Sequence, residues 1–190
     1  MRHLIAIATA VLLVAIAAAC SSPPARFYTL SGPTPVGGDA SGPSVAVGPV
    51  ALPTVVDRPQ IVVHSGANEV RLDEFNRWAS PLPEDIARVI AANLAQELAS
   101  QRVWPYAQST QPAADFQVRI DIQKFESTLG DAVVIEALWS VRRIAGDSSK
   151  SGRSLVREAT GGSDFEALVA AHSRALARVS SEIAAAIRAQ

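Results

Sequence analysis

Asp115-Phe116-Gln117-Val118-Arg119-Ile120-Asp121-Ile122-Gln123 alternates without a fault. Phe116, Val118, Ile120 and Ile122 fall on one side, and Asp115, Gln117, Arg119, Asp121 and Gln123 on the other. A period of two predicts a strand with one face on a core and one face in water, the pattern of an antiparallel sheet. The phase slips at Lys124-Phe125, which predicts a bulge. Leu129-Gly130-Asp131 turns the chain, and Val133, Ile135, Ala137, Trp139 and Val141 resume the alternation. Gly146 to Gly152 (GDSSKSG) turns it again, and Ser154 to Thr160 pairs back, so three successive strands read as a meander. Gly161-Gly162 then breaks the sheet. Phe165, Leu168, Val169, Leu176, Val179, Ile183 and Ile187 recur at helical spacing, which predicts a helix of about 25 residues. Ser163 and Glu166 stand three apart at its start, the spacing of a capping box with Ser163 as cap.

Upstream the elements are shorter. Arg26 to Leu30 (RFYTL) has strand-forming residues, and its isolation behind the Gly/Pro/Ser-rich stretch 31–44 places it at a sheet edge. Val45, Val47, Val50 and Leu52 mark a second strand, in which Gly48-Pro49 requires an edge or a bulge. Asp57-Arg58-Pro59 is a turn or an extended corner. Ile61-Val62-Val63, a turn at Ser65 to Asn68, and a partner beginning at Val70 and Leu72 form a hairpin. Pro81 and Pro83 suit a first helical turn, with Ser80 as cap and Glu84 and Asp85 at the positive end of the helix dipole. Ile86, Val89, Ile90, Leu94 and Leu98 make its apolar stripe, and Val103 to Tyr106 is a short strand. The order ββββ-α-β-βββ-α predicts one α+β domain: a mixed, mostly antiparallel sheet with two long helices packed on one face.

The N-terminus is of another kind. Met1-Arg2-His3 is followed by an apolar run from Leu4 to Ala19, too short for a membrane span of about 20 residues and suited to a secretory signal. Ala17-Ala18-Ala19 meets Cys20, the only cysteine. Small residues before a cysteine resemble the bacterial lipobox, in which the thiol is acylated and the chain is cut before it; Ala17 stands where leucine is usual. The other reading is an ordinary signal cleaved near Ala19, leaving a free thiol. With no second cysteine there is no internal disulfide, and acylation gives Cys20 a use. The expected organisation is a signal peptide at 1–19, a lipidated cysteine and tether at 20–25, and a single domain at 26–190. No cofactor is expected beyond the covalent lipid.

Composition narrows the chemistry. A formal charge of −1 offers no basic surface for nucleic acid. Aromatic residues are 5% against 48% hydrophobic, which favours helix-on-sheet packing over a stacking cleft. The histidines are His3, His64 and His172. His3 leaves with the signal, His64 sits at a hairpin turn, and His172 lies on the apolar side of the last helix, where a core role is the plain reading. No G-x-S-x-G elbow, no paired metal-ligand spacing and no phosphate loop is present. The chain reads as a non-enzyme, with no catalytic and no metal-binding residues.

Two segments carry more side-chain variety than loops require: Asp57-Arg58-Pro59-Gln60-Ile61-Val62 (DRPQIV), and Asn68 to Leu82 (NEVRLDEFNRWASPL), where Phe75, Arg77 and Trp78 cluster. Arginine and tryptophan are favoured interface anchors, so Asp57, Arg58, Pro59, Gln60, Arg77 and Trp78 are candidate partner-binding residues. The alternative packs Trp78 on the sheet, with Arg77 satisfying the approach to the helix; both can hold.

In this order, a cysteine fit for acylation, FYTL (27–30), V-x-V-G-P-V-x-L-P (45–53), DRPQIV and NEVRLDEFNRWASPL resemble the ABC-type transport auxiliary lipoproteins of the PqiC (YmbA) type. The resemblance implies a lipid-anchored domain on the outer membrane, facing the periplasm. It implies as partners an MCE-domain protein, which carries lipid between the two membranes, and its membrane permease. The lipoprotein would dock the distal end of the MCE tube or line its exit, and a homo-oligomeric collar is compatible with that role. Ser21, next to Cys20, is not the aspartate that holds lipoproteins at the inner membrane. Two other readings stand beside this one: a lipoprotein holding a lipid or small apolar ligand between helix and sheet, and a structural lipoprotein of envelope assembly without a transport role.

Overall fold

The alternation at 115–123 becomes one long strand of a five-stranded sheet. In chain order the elements are β1 (Arg26–Tyr28), β2 (Val45–Ala51), β3 (Gln60–His64), β4 (Val70–Trp78), α1 (Leu82–Glu97), β5 (Val103–Pro105), β6 (Phe116–Ser127), β7 (Ala132–Arg143), β8 (Ser149–Ala159) and α2 (Phe165–Arg188). This is a computed structural model, and it describes residues 1–2, 23–34, 39–106, 113–146 and 148–190. Cys20 and residues 3–19 of the signal segment lie outside the described residues.

On β6, Val118, Ile120 and Ile122 are buried while Arg119, Asp121 and Gln123 are exposed. The ladder to β7 skips between Ile122 and Lys124. This is the bulge read from the phase slip, and it returns Phe125 and Ser127 to the core side. β6, β7 and β8 run antiparallel as the expected meander. Gly130, at φ +73°, makes the β6–β7 turn in a conformation that costs glycine little.

β2 lies inside this sheet, in the order β5-β2-β6-β7-β8, and runs parallel to both its neighbours. Proline inside a strand is tolerated here because its register shifts between Val47 and Val50, around Gly48 (φ +126°) and the cis Gly48–Pro49 bond.

The sequence predicts one sheet, and the fold has two. β1, β4 and β3 form a separate three-stranded sheet in the order β1-β4-β3. β3 and β4 are the expected hairpin, and β1 is an edge strand as read, joined parallel to the last residues of β4. β1 is only three residues long, so its partner is set by tertiary contacts rather than by its own pattern.

α1 covers β2 and β5, α2 covers β7 and β8, and the helices pack on each other. Ile86, Val89, Ile90 and Leu94 of α1 and Leu168, Leu176, Val179 and Ile183 of α2 have no exposed surface. The small sheet closes one end of this core, where Trp78 meets Phe125 and His172 edge-on at 6.2 and 6.3 Å.

Both helix starts differ from expectation. α1 begins after Pro81 with no side-chain cap, so Ser80 is not its cap. At α2 the cap is Asp164, whose carboxylate accepts the Ala167 N–H at 2.8 Å, displacing Ser163 by one residue. Either residue could cap by type, and the entry geometry of the chain selects the aspartate.

Asp85 also departs from its reading. It is buried at 4% exposure. Its carboxylate accepts from the Leu30 N–H (2.7 Å), from the Thr29 hydroxyl and from the Arg88 guanidinium. With Ala79 N–H donating to Tyr28 O (2.7 Å) and Ser31 N–H donating to Ser173 Oγ (3.0 Å), it fastens the chain just after β1 to both helices.

Candidate functional site

Two segments some twenty residues apart in sequence meet at the junction of the small sheet with α1. The β2–β3 loop is folded on itself by Val56 N–H to Pro53 O (3.0 Å), Asp57 N–H to Pro53 O (3.2 Å) and Arg58 N–H to Val56 O (2.9 Å). Val56 is buried and pins the loop to the core. The end of β4 joins it: the Trp78 N–H donates to Pro59 O at 2.7 Å, and Gln60 stands opposite Arg77 in the ladder. Asp57, Arg58, Pro59, Trp78, Ala79, Ser80, Pro81 and Leu82 surround a hollow of about 340 Å³.

The six candidate residues divide. Asp57, Arg58, Pro59 and Trp78 line the hollow. Asp57 is exposed at its rim. Arg58 is half-buried, and its Nε is buried with no hydrogen-bond partner among the described residues. Trp78 is 6% exposed and packs on Phe125 and His172, so it forms the floor of the hollow and is no free surface anchor. Gln60 and Arg77 lie beside the hollow and converge on Glu74. Arg77 Nε donates to Glu74 O (2.9 Å), its guanidinium pairs with the Glu74 carboxylate (3.3 Å), and Gln60 Nε2 donates to the same carboxylate (3.4 Å). Arg77 thus braces the strand rather than the approach to the helix. Glu74, Ser80, Pro81 and Leu82 lie in the 68–82 segment but were not among the six candidate residues; the spacing of Glu74 to Arg77 was the available signal for the first.

Under the floor lies a pair of catalytic residue types in a sealed setting. His172 Nε2 and Ser127 Oγ are 2.8 Å apart, and the imidazole stacks on Phe125 at 4.0 Å between centroids. His172 is fully buried and Ser127 is 2% exposed. Burial pushes the imidazole pKa down from 6.5 to about 3, so the ring is neutral at physiological pH. Nucleophilic chemistry asks for an orienting group on the second ring nitrogen and for access. Nδ1 has no partner among the described residues, and the pair faces no solvent. His172 fills the core, as its place on the apolar stripe implied.

A larger hollow, about 670 Å³ and open, lies on the outer face of the five-stranded sheet between Pro49, Arg119, Asp121, Leu138 and Arg153. A ligand site between helix and sheet would need room where Ile90, Leu94, Leu176 and Ile183 instead fill the space. Among the described residues no helix is long and apolar enough to cross a membrane.

The family described as ABC-type transport auxiliary lipoprotein component matches residues 28–184. No curated protein matches the chain. A crystal structure of an uncharacterized protein is similar with TM-score 0.71 and 19% identity, covering 87% of this chain and 99% of that one. The crystal structure of a Xanthomonas campestris protein of the DUF330 family gives TM-score 0.58 and 17% identity, covering 84% and 93%. At these identities the two structures bear on the fold.

Proposed function

This chain belongs to the ABC-type transport auxiliary lipoprotein family, and from that premise we propose that it is a non-catalytic, lipid-anchored docking subunit of an MCE-type lipid transport system, held at the outer membrane and facing the periplasm. The observation that carries the reading is the meeting of DRPQIV with RWASPL around one hollow. Both segments are those by which the sequence resembles the family, and the fold makes one surface of them.

The mechanism is mechanical. Acylated Cys20 would hold the chain to the bilayer, with durable attachment arising from several acyl chains at about 0.8 kcal/mol per buried CH₂. Five residues separate Cys20 from Arg26, six Cα-to-Cα steps with a reach of about 20 Å when extended. Load on this tether enters the β1–β4 ladder and the Asp85 cluster, which pass it to both helices. The hollow, with Gln60 and Arg77 beside it, would engage the periplasmic end of the transporter.

Co-purification from detergent-solubilised envelopes tests the reading. Arg58→Glu and Arg77→Glu, each at a partly exposed position, should fold normally and lose capture of the neighbouring MCE-domain protein. Unchanged capture by both folded variants would overturn it.

A further inference from the structure

We infer that the outer face of the three-stranded sheet rests in the surface of the phospholipid bilayer that holds acylated Cys20. This rests on the anchored reading of the chain and adds which side of the domain the bilayer touches.

The first observation is where exposed apolar side chains gather. Apart from Met1, nine large hydrophobic residues are exposed among the described residues, and four of them, Phe27, Val70, Leu72 and Phe75, belong to β1 and β4. A single exposed leucine needs no explanation, whereas a concentration on two short strands marks an interaction surface. Phe27 is the most exposed of the nine, at 65%.

The ladders show which of them share a face. Trp78 packs inward on Phe125 and His172, so Arg77, next to it in the strand, faces outward. Phe27 is in register with Arg77 on one side and Gln60 on the other. Along β3 the alternation carries the outward face from Gln60 to Val62 and His64, and these stand opposite Leu72 and Val70. Paired residues share a face, so Phe27, Leu72 and Val70 look outward together; Val62, among them, is itself buried. Phe75 lies in the β4 bulge between Asp73 and Arg77. The Asp73 carboxylate fixes that bulge by accepting the Phe75 N–H (3.0 Å) and the Asn76 N–H (2.8 Å).

The second observation is the tether, and it names the occupant. β1 runs parallel to β4, so the Arg26 end of β1 points along β4 toward Phe75, Leu72 and Val70. Cys20 to Arg26 is six Cα-to-Cα steps, a reach of about 20 Å. Val70 to Asn76 is six steps as well, also about 20 Å. A tether no longer than the face beside it holds that face against the headgroups. Leu138 and Leu155 are exposed on the five-stranded sheet too, but no tether starts there.

The polar neighbours suit the same occupant. Asp73 and Glu74 are the carboxylates of β4, and both are engaged, Asp73 by the bulge and Glu74 by Arg77 at 3.3 Å. Arg26 and Arg71 are exposed, with no ion pair among the described residues. Their aliphatic stems can lie along apolar side chains while the guanidinium reaches a lipid phosphate.

The test uses the full mature, acylated chain in vesicles of phosphatidylethanolamine and phosphatidylglycerol. With Cys20 acylated, Leu72→Cys, Phe75→Cys and the control Leu155→Cys each supply the only free thiol, which is labelled with a nitroxide. All three positions are exposed, so the fold is kept. Electron paramagnetic resonance compares collisions with oxygen, which concentrates in lipid, and with a nickel chelate, which stays in water. The oxygen-to-nickel ratio at 72 and 75 should exceed that at 155 by about fivefold or more, as for side chains sunk about 5–10 Å into the headgroup and acyl boundary. Ratios at 72 and 75 equal to that at 155, on chains whose mass shows the acyl groups, would overturn the inference and leave the anchor standing. A mature product without acyl groups removes the anchor and the inference with it. Docking fails separately, through Arg58→Glu and Arg77→Glu. Leu72→Ser combined with Phe75→Ser should keep capture of the MCE-domain protein in detergent; loss of that capture, with the labels in water in vesicles, would give the face to the protein partner and overturn the inference.

Discussion

Lowering the pH from 7 to 5 should cost the fold about 2 kcal/mol through His172 alone. The folded imidazole has a pKa near 3 because burial disfavours its charge, against 6.5 for the free side chain. Below pH 6.5 the unfolded chain takes up a proton that the folded chain refuses, so stability falls with pH by up to about 1.4 kcal/mol per unit. The contribution is complete above pH 6.5, and from pH 7 to 5 the loss amounts to about 2 kcal/mol. The carboxylates do not confuse this window. Glu97, held low by the Ser181 hydroxyl and Arg188, and Asp115, held low by Ser44, give up their share only below their ordinary values of 4.5 and 3.8. Urea unfolding followed by tryptophan fluorescence at pH 7, 6 and 5 measures the slope. His172→Gln removes the titrating group; this variant should start less stable and lose markedly less between pH 7 and 5. Parent and variant with the same slope would refute the argument. Because Trp78 rests on His172 and floors the hollow, acid should also loosen the hollow.

Three further outcomes follow from single contacts. Asp85→Asn removes the buried charge that holds Leu30 N–H and Arg88; it should cost about 1.5–3 kcal/mol and speed amide exchange at Leu30, whereas an unaltered Leu30 amide would contradict the clamp. Asp164→Ala should lower stability by about 1 kcal/mol in thermal unfolding, and Ser163→Ala by a few tenths at most; the reverse order would restore Ser163 as the cap. At Gly152 an added Cβ would lie 2.3 Å from the Trp139 ring, so Gly152→Ala should displace the indole, break its 2.9 Å bond to Ser154 Oγ and cost about 1–3 kcal/mol; an unchanged near-UV circular dichroism spectrum would argue against this packing.

Much of the fold was legible because long elements repeat their signal. Val118, Ile120 and Ile122 and the slip at Lys124 gave β6 and its bulge, and the stripe from Leu168 to Ile187 gave α2. Short elements carry no such redundancy. Nothing in Arg26-Phe27-Tyr28 specifies Asn76 to Trp78 as its parallel partner, so the split into two sheets could not be read locally. Asp85 looked like a helix-dipole residue because its burial depends on Leu30, 55 positions away. The Ser127–His172 pair is likewise 45 residues apart.

The candidate site was half legible as a place in the fold. DRPQIV and RWASPL stood out by composition, and the fold joins them through the Trp78 N–H to Pro59 O bond. That Trp78 is floor rather than surface, and that Arg77 pairs with Glu74 while Arg58 has no carboxylate partner among the described residues, are properties of packing and were not written in either segment.

Site-specific photo-crosslinking in living cells tests the docking claim most directly. A benzophenone amino acid at Pro59, on the hollow, is compared with one at Leu155, exposed on the outer face of the five-stranded sheet. Adducts to the MCE-domain protein from position 59 and none from position 155 are the expected result. No adduct from position 59, or equal adducts from both positions, would contradict the account.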